Sequence, residues 1–182
     1  MEKHDQNEIR ELLDRIARIN TSQDWAGDIN PSQRAALSYL ARANRFSRAP
    51  SQVATYLSAT RGTISQTLKA LARKNLIVEH RSQADKRSIS YEITAKGSAT
   101  LMSYSADGGM ANLLSKSDRV DMAVCLKKLI RSMLKARGWR SFGVCQTCHF
   151  HNKNAAGAYC SLLNEALTAN DAQHICYEHK GI

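Results

Sequence analysis

Residues Ser58–Ile93 read SATRGTISQTLKALARKNLIVEHRSQADKRSISYEI and contain two different hydrophobic periods. In the first half, Ile64, Leu68 and Leu71 recur at the three- and four-residue spacing of a helix, which predicts a face that packs on a core. The other faces of this predicted helix carry the polar and basic residues Arg61, Thr63, Ser65, Gln66 and Lys69. The stretch therefore predicts a helix that is packed on one side and free on the other.

The second half of the stretch has the pattern of a β-hairpin. Asn75, a residue that tolerates the left-handed conformation found at many helix ends, closes the helical pattern. Beyond it, Ile89, Tyr91 and Ile93 alternate with polar residues, which is the period of a half-buried strand. A helix with a free polar face followed by a two-stranded wing fits the major groove of DNA, with the wing beside it.

Shorter helices predicted upstream complete a helix-turn-helix. Asn30 and Pro31 supply a cap and a first helical residue for a helix that runs through Ala41. Pro50 opens a second helix that ends near Leu57, and a turn over residues 58–60 leads into the polar-faced helix. Two short helices joined by a tight turn, the second with polar side chains at its start, are typical of a helix-turn-helix.

Two longer amphipathic helices are predicted on either side of this unit. Residues 5–19 have one apolar face, and residues 21–29 read as a polar linker. The glycines at 108 and 109 predict a break before a last helix that starts at Ser117. Because the apolar residues of that helix cover more than one narrow stripe, we expect it to pack on a second copy of the chain as well as on its own.

The charge of the chain favours a polyanionic partner. Lys and Arg number 26 against 16 Asp and Glu, so the formal net charge is +10 and the pI is about 9.6. Residues 145–182 hold two lysines and three acidic residues, a net charge of −1, which leaves +11 on the first 144 residues. The basic character therefore belongs to the part that contains the predicted reading helix, and nucleic acid is the expected partner.

The sequence predicts a cytoplasmic protein that does not enter a membrane. It has no apolar run long enough for a membrane span, and its first residues lack the apolar core of a signal peptide. In a reducing cytoplasm, its five cysteines are expected to be free thiols or metal ligands rather than disulfides.

Five short strings in the predicted order resemble the MarR family of winged-helix regulators. They are PSQVATYL at 50–57, RGTISQTLKAL at 61–71, KNLI at 74–77, DKR at 85–87 and ITAKG at 93–97. The resemblance covers roughly residues 5–138. The chain departs from the family pattern at Asn75, where members usually have Gly, and in its cysteine-bearing tail.

The resemblance implies a homodimer whose first and last helices interlock and which binds a palindromic operator in double-stranded DNA. It implies that the polar face of the reading helix, with Lys69 on it, contacts base edges and phosphates in the major groove. It also implies that Arg87 enters the minor groove while Asp85 orients it. The chemistry of these side chains agrees, because Arg pairs with guanine, Gln with adenine, and hydroxyls with phosphate.

The tail contains four of the five cysteines, and their spacing predicts a metal site. Cys145 and Cys148 form a Cys-x2-Cys pair, and Cys160 and Cys176 follow as single cysteines. Four soft donors in a short segment with few apolar residues favour zinc, copper(I) or an iron-sulfur cluster, whose binding would stabilise the fold. Cys125 lies apart in the last predicted helix and reads as a small buried apolar residue.

An iron-sulfur cluster is the favoured cofactor, because structural zinc sites usually bring their ligands as two close pairs. Zinc is the alternative, and Cys3His ligation stays open because four histidines are nearby; thiol-disulfide sensing also stays open. Those histidines are His149, His151, His174 and His179. Residues 145–149 also match the c-type haem string, but haem attachment occurs outside the cytoplasm and would leave Cys160 and Cys176 without a role.

The sequence thus predicts a mainly α fold with a small β-hairpin wing. Residues 1–30 are assigned to a dimerisation helix and linker, 31–97 to a winged helix-turn-helix, 98–138 to further dimerisation helices and 139–182 to a metal-binding tail. We expect a transcriptional repressor whose cluster senses redox or iron state and acts through the last dimer helix, where the tail begins at Gly138. The alternative is structural zinc with an aromatic small-molecule effector. No enzyme is expected, because four thiols would close the metal coordination shell.

Overall fold

Helices α2 (Pro31–Arg42), α3 (Pro50–Tyr56) and α4 (Arg61–Arg73) form the centre of the fold and pack on one another. The structure is a computed structural model that describes residues 2–24, 27–83, 88–105, 110–154 and 157–181. A 3-10 turn at Arg45–Ser47 joins α2 to α3. The predicted helix-turn-helix is confirmed.

Capping residues fix where these helices begin. The Asn30 side chain accepts a hydrogen bond from the Gln33 N–H at 2.9 Å, and Pro31 occupies the first helical position. The Thr60 hydroxyl caps α4 by accepting from the Thr63 N–H at 3.1 Å. Beyond the end of α4, Asn75 has φ 59°, the left-handed conformation that was predicted for it.

The wing consists of β1 (Ile77–Arg81) and β2 (Ile89–Ile93), which pair antiparallel with Ile77 opposite Ile93. Tyr91 projects from β2 into the core and is buried. The predicted antiparallel hairpin is therefore confirmed, and so is the face of β2 that points to the core. The predicted site residues Asp85 and Arg87 lie outside the described residues, and so does the predicted break at residues 108–109.

The hydrophobic core lies between α2, α3, α4 and the wing. Its buried apolar side chains are Ile29, Ala36, Leu37, Tyr39, Leu40, Ala43, Val53, Ala54, Ile64, Leu68, Leu71, Leu76, Ile77 and Tyr91. Partly buried side chains from α5 (Ala95–Ser105) pack against it, as does Phe142 from the start of the tail. The three residues that gave α4 its predicted inner face are all in this set, so the inner face was predicted correctly.

The two long helices differ from the prediction at their ends. Helix α1 spans Glu2–Asp24, so part of the segment that was predicted to be a linker is helical. The Thr21 hydroxyl donates to the Ala17 carbonyl at 2.6 Å and is thereby satisfied inside the helix. Helix α6 spans Lys116–Ala136 and is capped by Ser115, whose hydroxyl accepts from the Asp118 N–H at 3.1 Å; the predicted start at Ser117 was wrong.

The tail contains β-structure that the prediction of a single wing hairpin did not include. Strands β4 (His151–Asn154), β5 (Gly157–Cys160) and β6 (Glu165–Leu167) form one antiparallel sheet. Strands β3 (Gly143–Val144) and β7 (Ile175–Cys176) pair separately, and α7 (Ala169–Gln173) lies between β6 and β7. These elements have two to five residues each, too few to show a hydrophobic period.

The described helices include none with the length and apolarity that a bilayer crossing requires.

Gly97, in the first turn of α5, offers a test of the packing between α5 and the end of α4. A Cβ at this position would lie 2.2 Å from the Leu76 carbonyl oxygen. We expect Gly97→Ala to lower the free energy of unfolding by about 1–3 kcal/mol, because backbone must move to accommodate the methyl group. The measurement is urea unfolding followed by circular dichroism.

Gly62→Ala is the matched control, since the nearest side-chain or backbone atom would lie 3.9 Å from the new Cβ. Its unfolding free energy should be unchanged or raised by up to about 1 kcal/mol, because Ala favours the helix over Gly. Equal destabilisation by both substitutions would show that α5 does not pack as described.

Candidate functional site

The outward face of α4 places polar side chains together at the start of the helix. Arg61, Thr63, Gln66 and Lys69 are exposed, and Ser65 is half-buried. All five residues that were predicted to read DNA from this helix therefore lie at or near its free surface. Their arrangement on neighbouring turns makes one surface about two turns long, with donors from a guanidinium, an amide, hydroxyls and an ammonium group.

The inward face of α4 holds this surface in place. Ile64, Leu68 and Leu71 are buried against the core, and the Thr67 hydroxyl donates to the Thr63 carbonyl at 2.9 Å. At the first turn, the hydroxyls of Thr60 and Thr63 lie 2.8 Å apart, and Thr60 also caps the helix. The helix axis is thus fixed by apolar packing, while the polar side chains stay free for a ligand.

The wing carries a hydrogen-bonded group that the sequence did not predict. The Tyr91 hydroxyl donates to Glu79 Oε2 at 2.8 Å, and Arg81 Nε pairs with Glu79 Oε1 at 2.9 Å. These hydrogen bonds, that of Tyr91 first, lower the pKa of Glu79. Burial, followed by the Glu79 carboxylate, raises the pKa of Tyr91 to about 12. The register that places Tyr91 opposite Glu79 is the signal that could have revealed this group.

The four tail cysteines are brought into one buried group. Each is between 4% and 7% exposed. Cys145 begins a 3-10 turn in which the Cys148 N–H donates to the Cys145 carbonyl at 3.0 Å, so the Cys-x2-Cys pair forms a tight turn. Cys160 ends β5 and Cys176 ends β7, and both pack in the small core of the tail with Cys145.

Burial and the neighbouring thiols affect the pKa of two of the four cysteines. Burial, followed by the neighbouring Cys176, Cys160 and Cys148, raises the pKa of the Cys145 thiol to about 12. Burial also raises the pKa of Cys176. As free thiols the two are protonated at neutral pH, and binding of a metal would replace the protons.

Several N–H and O–H donors face the sulfurs. The Glu178 backbone N–H and the Asn44 and Ser47 side chains lie against Cys176 and partly offset the effect of burial on its pKa. The Lys180 N–H donates to Cys148 Sγ at 3.4 Å. Donors of this kind stabilise thiolate sulfur and tune metal-sulfur centres, so they offset part of the cost that burial imposes on a thiolate ligand.

Among the described residues, no group of three or more His, Cys, Asp or Glu side chains is arranged so that it could hold a metal ion. Among the candidate histidines, His151 Nδ1 lies 3.8 Å from Cys145 Sγ, and its Nε2 is buried without a hydrogen-bond partner. His179 bonds to Thr147, and His149 is exposed. Cys125 is exposed on α6 in the chain as described, and not buried as the sequence suggested.

The tail is docked on the turn between α2 and α3, a contact that the sequence did not predict. The Asn44 N–H donates to the Ile175 carbonyl at 2.9 Å, and the Tyr177 N–H donates to Ser47 Oγ at 2.8 Å. Arg45 pairs with the buried Asp171 at 3.3 Å. Asn44 and Ser47 sit in a segment that reads only as a helix break, so local sequence carries no signal for this contact.

A cavity of about 400 Å³ lies between the end of α6 and α3. Its lining combines apolar side chains of α6, aromatic rings and two arginines, and includes Tyr56, Met133, Leu134, Arg137, Trp139, Arg140 and Phe142. Such a lining suits an aromatic anion of small size.

The fold and the free face of α4 together define a winged helix-turn-helix protein flanked by two long helices. The MarR family model matches residues 27–88, which include the helix-turn-helix and the start of the wing. No curated protein sequence matches the chain. The match supports the resemblance to the MarR family in its winged-helix part.

Solved structures of MarR-type proteins have a fold similar to that of this chain. The S. aureus MepR–DNA complex has a TM-score of 0.56 at 22% identity, over 68% of this chain and 96% of MepR. FabT of Streptococcus pneumoniae, in complex with DNA, has a TM-score of 0.56 at 19% identity, over 75% and 99%. A further MarR family transcription regulator has a TM-score of 0.57 at 22% identity, over 75% and 97%. The chain therefore has the MarR-type winged-helix fold, with a quarter or more of its length outside the similarity.

Proposed function

We propose that the protein is a DNA-binding transcriptional regulator of the MarR type. The observation that carries the proposal is the free polar face of α4, held outward on a winged-helix fold whose first 144 residues have a net charge of +11. MepR and FabT, which share the fold, have been solved with DNA. A basic surface on a helix of this kind supplies both phosphate attraction and base readout.

The side chains of α4 divide by their chemistry. Arg61 and Gln66 can each make paired hydrogen bonds to a base edge, guanine and adenine respectively. Thr63, Ser65 and Lys69 suit phosphate contacts, which position the helix without reading sequence. The assignment of Arg87 to the minor groove, with Asp85 orienting it, stays a prediction from the family resemblance.

A homodimer follows from the apolar faces that α1 and α6 leave exposed. Helix α1 presents one stripe of Ile9, Leu12, Leu13, Ile16 and Ile19. Helix α6 presents Val120, Met122, Val124, Leu126, Leu129, Ile130 and Met133, and none of its described residues is buried. Apolar surface of this extent is costly in water, and burial between two copies of the chain removes it. A two-fold dimer would bind a palindromic operator.

The four-cysteine group is proposed to bind an iron-sulfur cluster through Cys145, Cys148, Cys160 and Cys176. The support is the burial of all four thiols together and the donors that face two of the sulfurs. A cluster would make the protein a cytoplasmic sensor of redox or iron state, acting as a repressor. Zinc is the alternative metal, and the position of His151 beside Cys145 keeps Cys3His ligation in consideration.

The cavity near Trp139 supports a second candidate function, in which the cysteines hold structural zinc and an aromatic anion is the effector. The two candidates differ in colour. A cluster gives visible absorption when the protein is purified under argon, whereas a zinc protein is colourless. Metal analysis of the same sample assigns the metal directly.

Arg61→Ala tests the reading surface. We expect the variant to weaken operator binding by about 1–3 kcal/mol, because a paired contact to a base is lost. The operator is first obtained by selection from a random DNA library with the wild-type protein, and affinity is measured by gel shift at fixed salt. Arg73→Ala is the matched control, since Arg73 is exposed at the opposite end of α4. Equal losses in both variants would refute a specific role for Arg61.

Cys148→Ala tests the metal centre. With one of four ligands removed, the full-length protein purified under argon should bind the metal at least about tenfold more weakly and lose most of its visible absorption. Cys125→Ala is the control, because Cys125 lies on α6, away from the tail cysteines. Wild-type metal content in the Cys148→Ala protein would exclude this cysteine as a ligand.

Ile130→Glu tests the homodimer. The wild-type protein should sediment at twice the chain mass of 20.2 kDa. The charged side chain placed in the apolar face of α6 should shift it towards the monomer, because burial of an unpaired charge opposes association. Lys128→Glu is the control on the polar side of the same helix. A wild-type protein that sediments as a monomer at micromolar concentration would contradict the dimer.

A further inference from the structure

Polar groups from two distant parts of the chain lie beside Cys176, and two of them are placed there by hydrogen bonds to its neighbours Ile175 and Tyr177. The Glu178 backbone N–H comes from the tail itself. The Asn44 amide and the Ser47 hydroxyl come from the turn between α2 and α3, which belongs to the winged helix-turn-helix. Both side chains are buried, at 1% and 0% exposure. The proposed metal centre therefore shares two residues with the DNA-reading unit.

Asn44 has a donor that no acceptor satisfies. Its Oδ1 accepts from the Phe46 N–H at 3.2 Å and its backbone N–H donates to the Ile175 carbonyl. Its Nδ2 is buried beside Cys176 but makes no contact of hydrogen-bond geometry. A thiol sulfur is a weak acceptor, whereas a metal-bound thiolate carries negative charge and is a stronger one. Ligation of Cys176 would supply the acceptor that Asn44 lacks.

Ser47 links the same sulfur to the core. Its hydroxyl oxygen accepts from the Tyr177 N–H at 2.8 Å, and its carbonyl accepts from the Tyr39 hydroxyl at 2.7 Å. Burial raises the pKa of Tyr39 well above its usual range, so this hydroxyl stays a donor. A change at the Cys176 sulfur would therefore act on Ser47, which is hydrogen-bonded to both the tail and the core.

The turn is connected onward to both DNA-reading elements. Gln52 of α3 donates to the Phe46 carbonyl at 3.0 Å, and α3 packs directly on α4. The Arg48 carbonyl accepts from the Tyr91 N–H of β2 at 3.1 Å, and the Arg48 guanidinium pairs with Glu92 at 3.3 Å. The position of the turn thus helps to set the positions of the reading helix and the wing.

We propose that residues 43–48 are the regulatory link of this protein: ligation of Cys176 orders this turn through Asn44 and Ser47 and thereby sets α4 and the wing for DNA. The proposal rests on the proposed four-cysteine metal centre. It differs from the route through α6, since Gly138 joins α6 to the tail at a position where an added Cβ would meet no atom within 4 Å. The metal-loaded chain is the form that binds DNA more tightly.

The test compares metal-loaded and metal-free full-length protein under argon. The protein is loaded with ferrous iron and sulfide, and in parallel with zinc, and is stripped with a chelator. Hydrogen-deuterium exchange then reports protection in the peptides that cover residues 43–48 and 88–93. In the wild type, loading should slow exchange in both peptides and raise affinity for the selected operator at least about fivefold, the lower range of allosteric coupling.

Ser47→Ala removes the hydroxyl but none of the four thiols. It should retain metal, while the difference in protection between loaded and free protein falls towards zero and the ratio of their operator affinities falls towards one. Asn44→Asp keeps the oxygen that bonds Phe46 but places a carboxylate beside Cys176. It should weaken zinc binding at least about tenfold in a chelator competition, as expected for a lost outer-shell donor.

Asn152→Asp is the matched control, since Asn152 is exposed on β4 and its side-chain amide donates to the Phe150 carbonyl. It should bind zinc as the wild type does. Full coupling in Ser47→Ala, or equal zinc affinity in Asn44→Asp and Asn152→Asp, would overturn the proposal.

The outcomes separate this proposal from the proposed function. If the wild type binds no metal, both the proposed metal centre and the proposed regulatory link are refuted. If it holds metal but exchange over residues 43–48 does not change, only the link fails. If no DNA is selected in either state, DNA binding fails, and the exchange experiment still decides whether the metal orders the turn.

Discussion

The packing of α4 on α2 is the interaction on which the rest of the structure depends. Leu68 and Leu71 meet the apolar side of α2, which includes Leu37 and Leu40, and all four are fully buried. Each such side chain contributes about 1.5–3 kcal/mol when it leaves water, so this contact outweighs the surface ion pairs of the wing. Because the contact uses the inner face of α4 alone, the outer face remains available to a ligand.

Residues 30–77 were predictable because their signals are local. The cap at Asn30, the apolar period of α4 and the left-handed Asn75 each act within a few residues, and each is where it was predicted. The exposed face of α4 could be predicted because its apolar residues define the buried face opposite it. The ends of the long helices were predicted less well, since two hydroxyl residues near α6 offered equivalent caps and a polar segment of α1 remained helical.

The placement of the tail could not be predicted, and its metal chemistry stays a prediction. Cysteine spacing identified Cys145, Cys148, Cys160 and Cys176 as one group, and the structure buries all four. Their contact with the turn at residues 43–48 could not be inferred, because it joins segments that are far apart in the chain and depends on Asn44 and Ser47, residue types common in any turn. The proposed regulatory link therefore depends on a tertiary contact that no local sequence pattern encodes.

The separation of 130 residues between Ser47 and Tyr177 also has a consequence for synthesis on the ribosome. Helices α2–α4 and the wing can fold once residue 93 or so has emerged, because their contacts are local in sequence. Strand β7, Ile175–Cys176, is synthesised later. Each newly made chain can therefore fold its winged helix-turn-helix before the tail is available, and docking of the tail on the turn follows as a separate step.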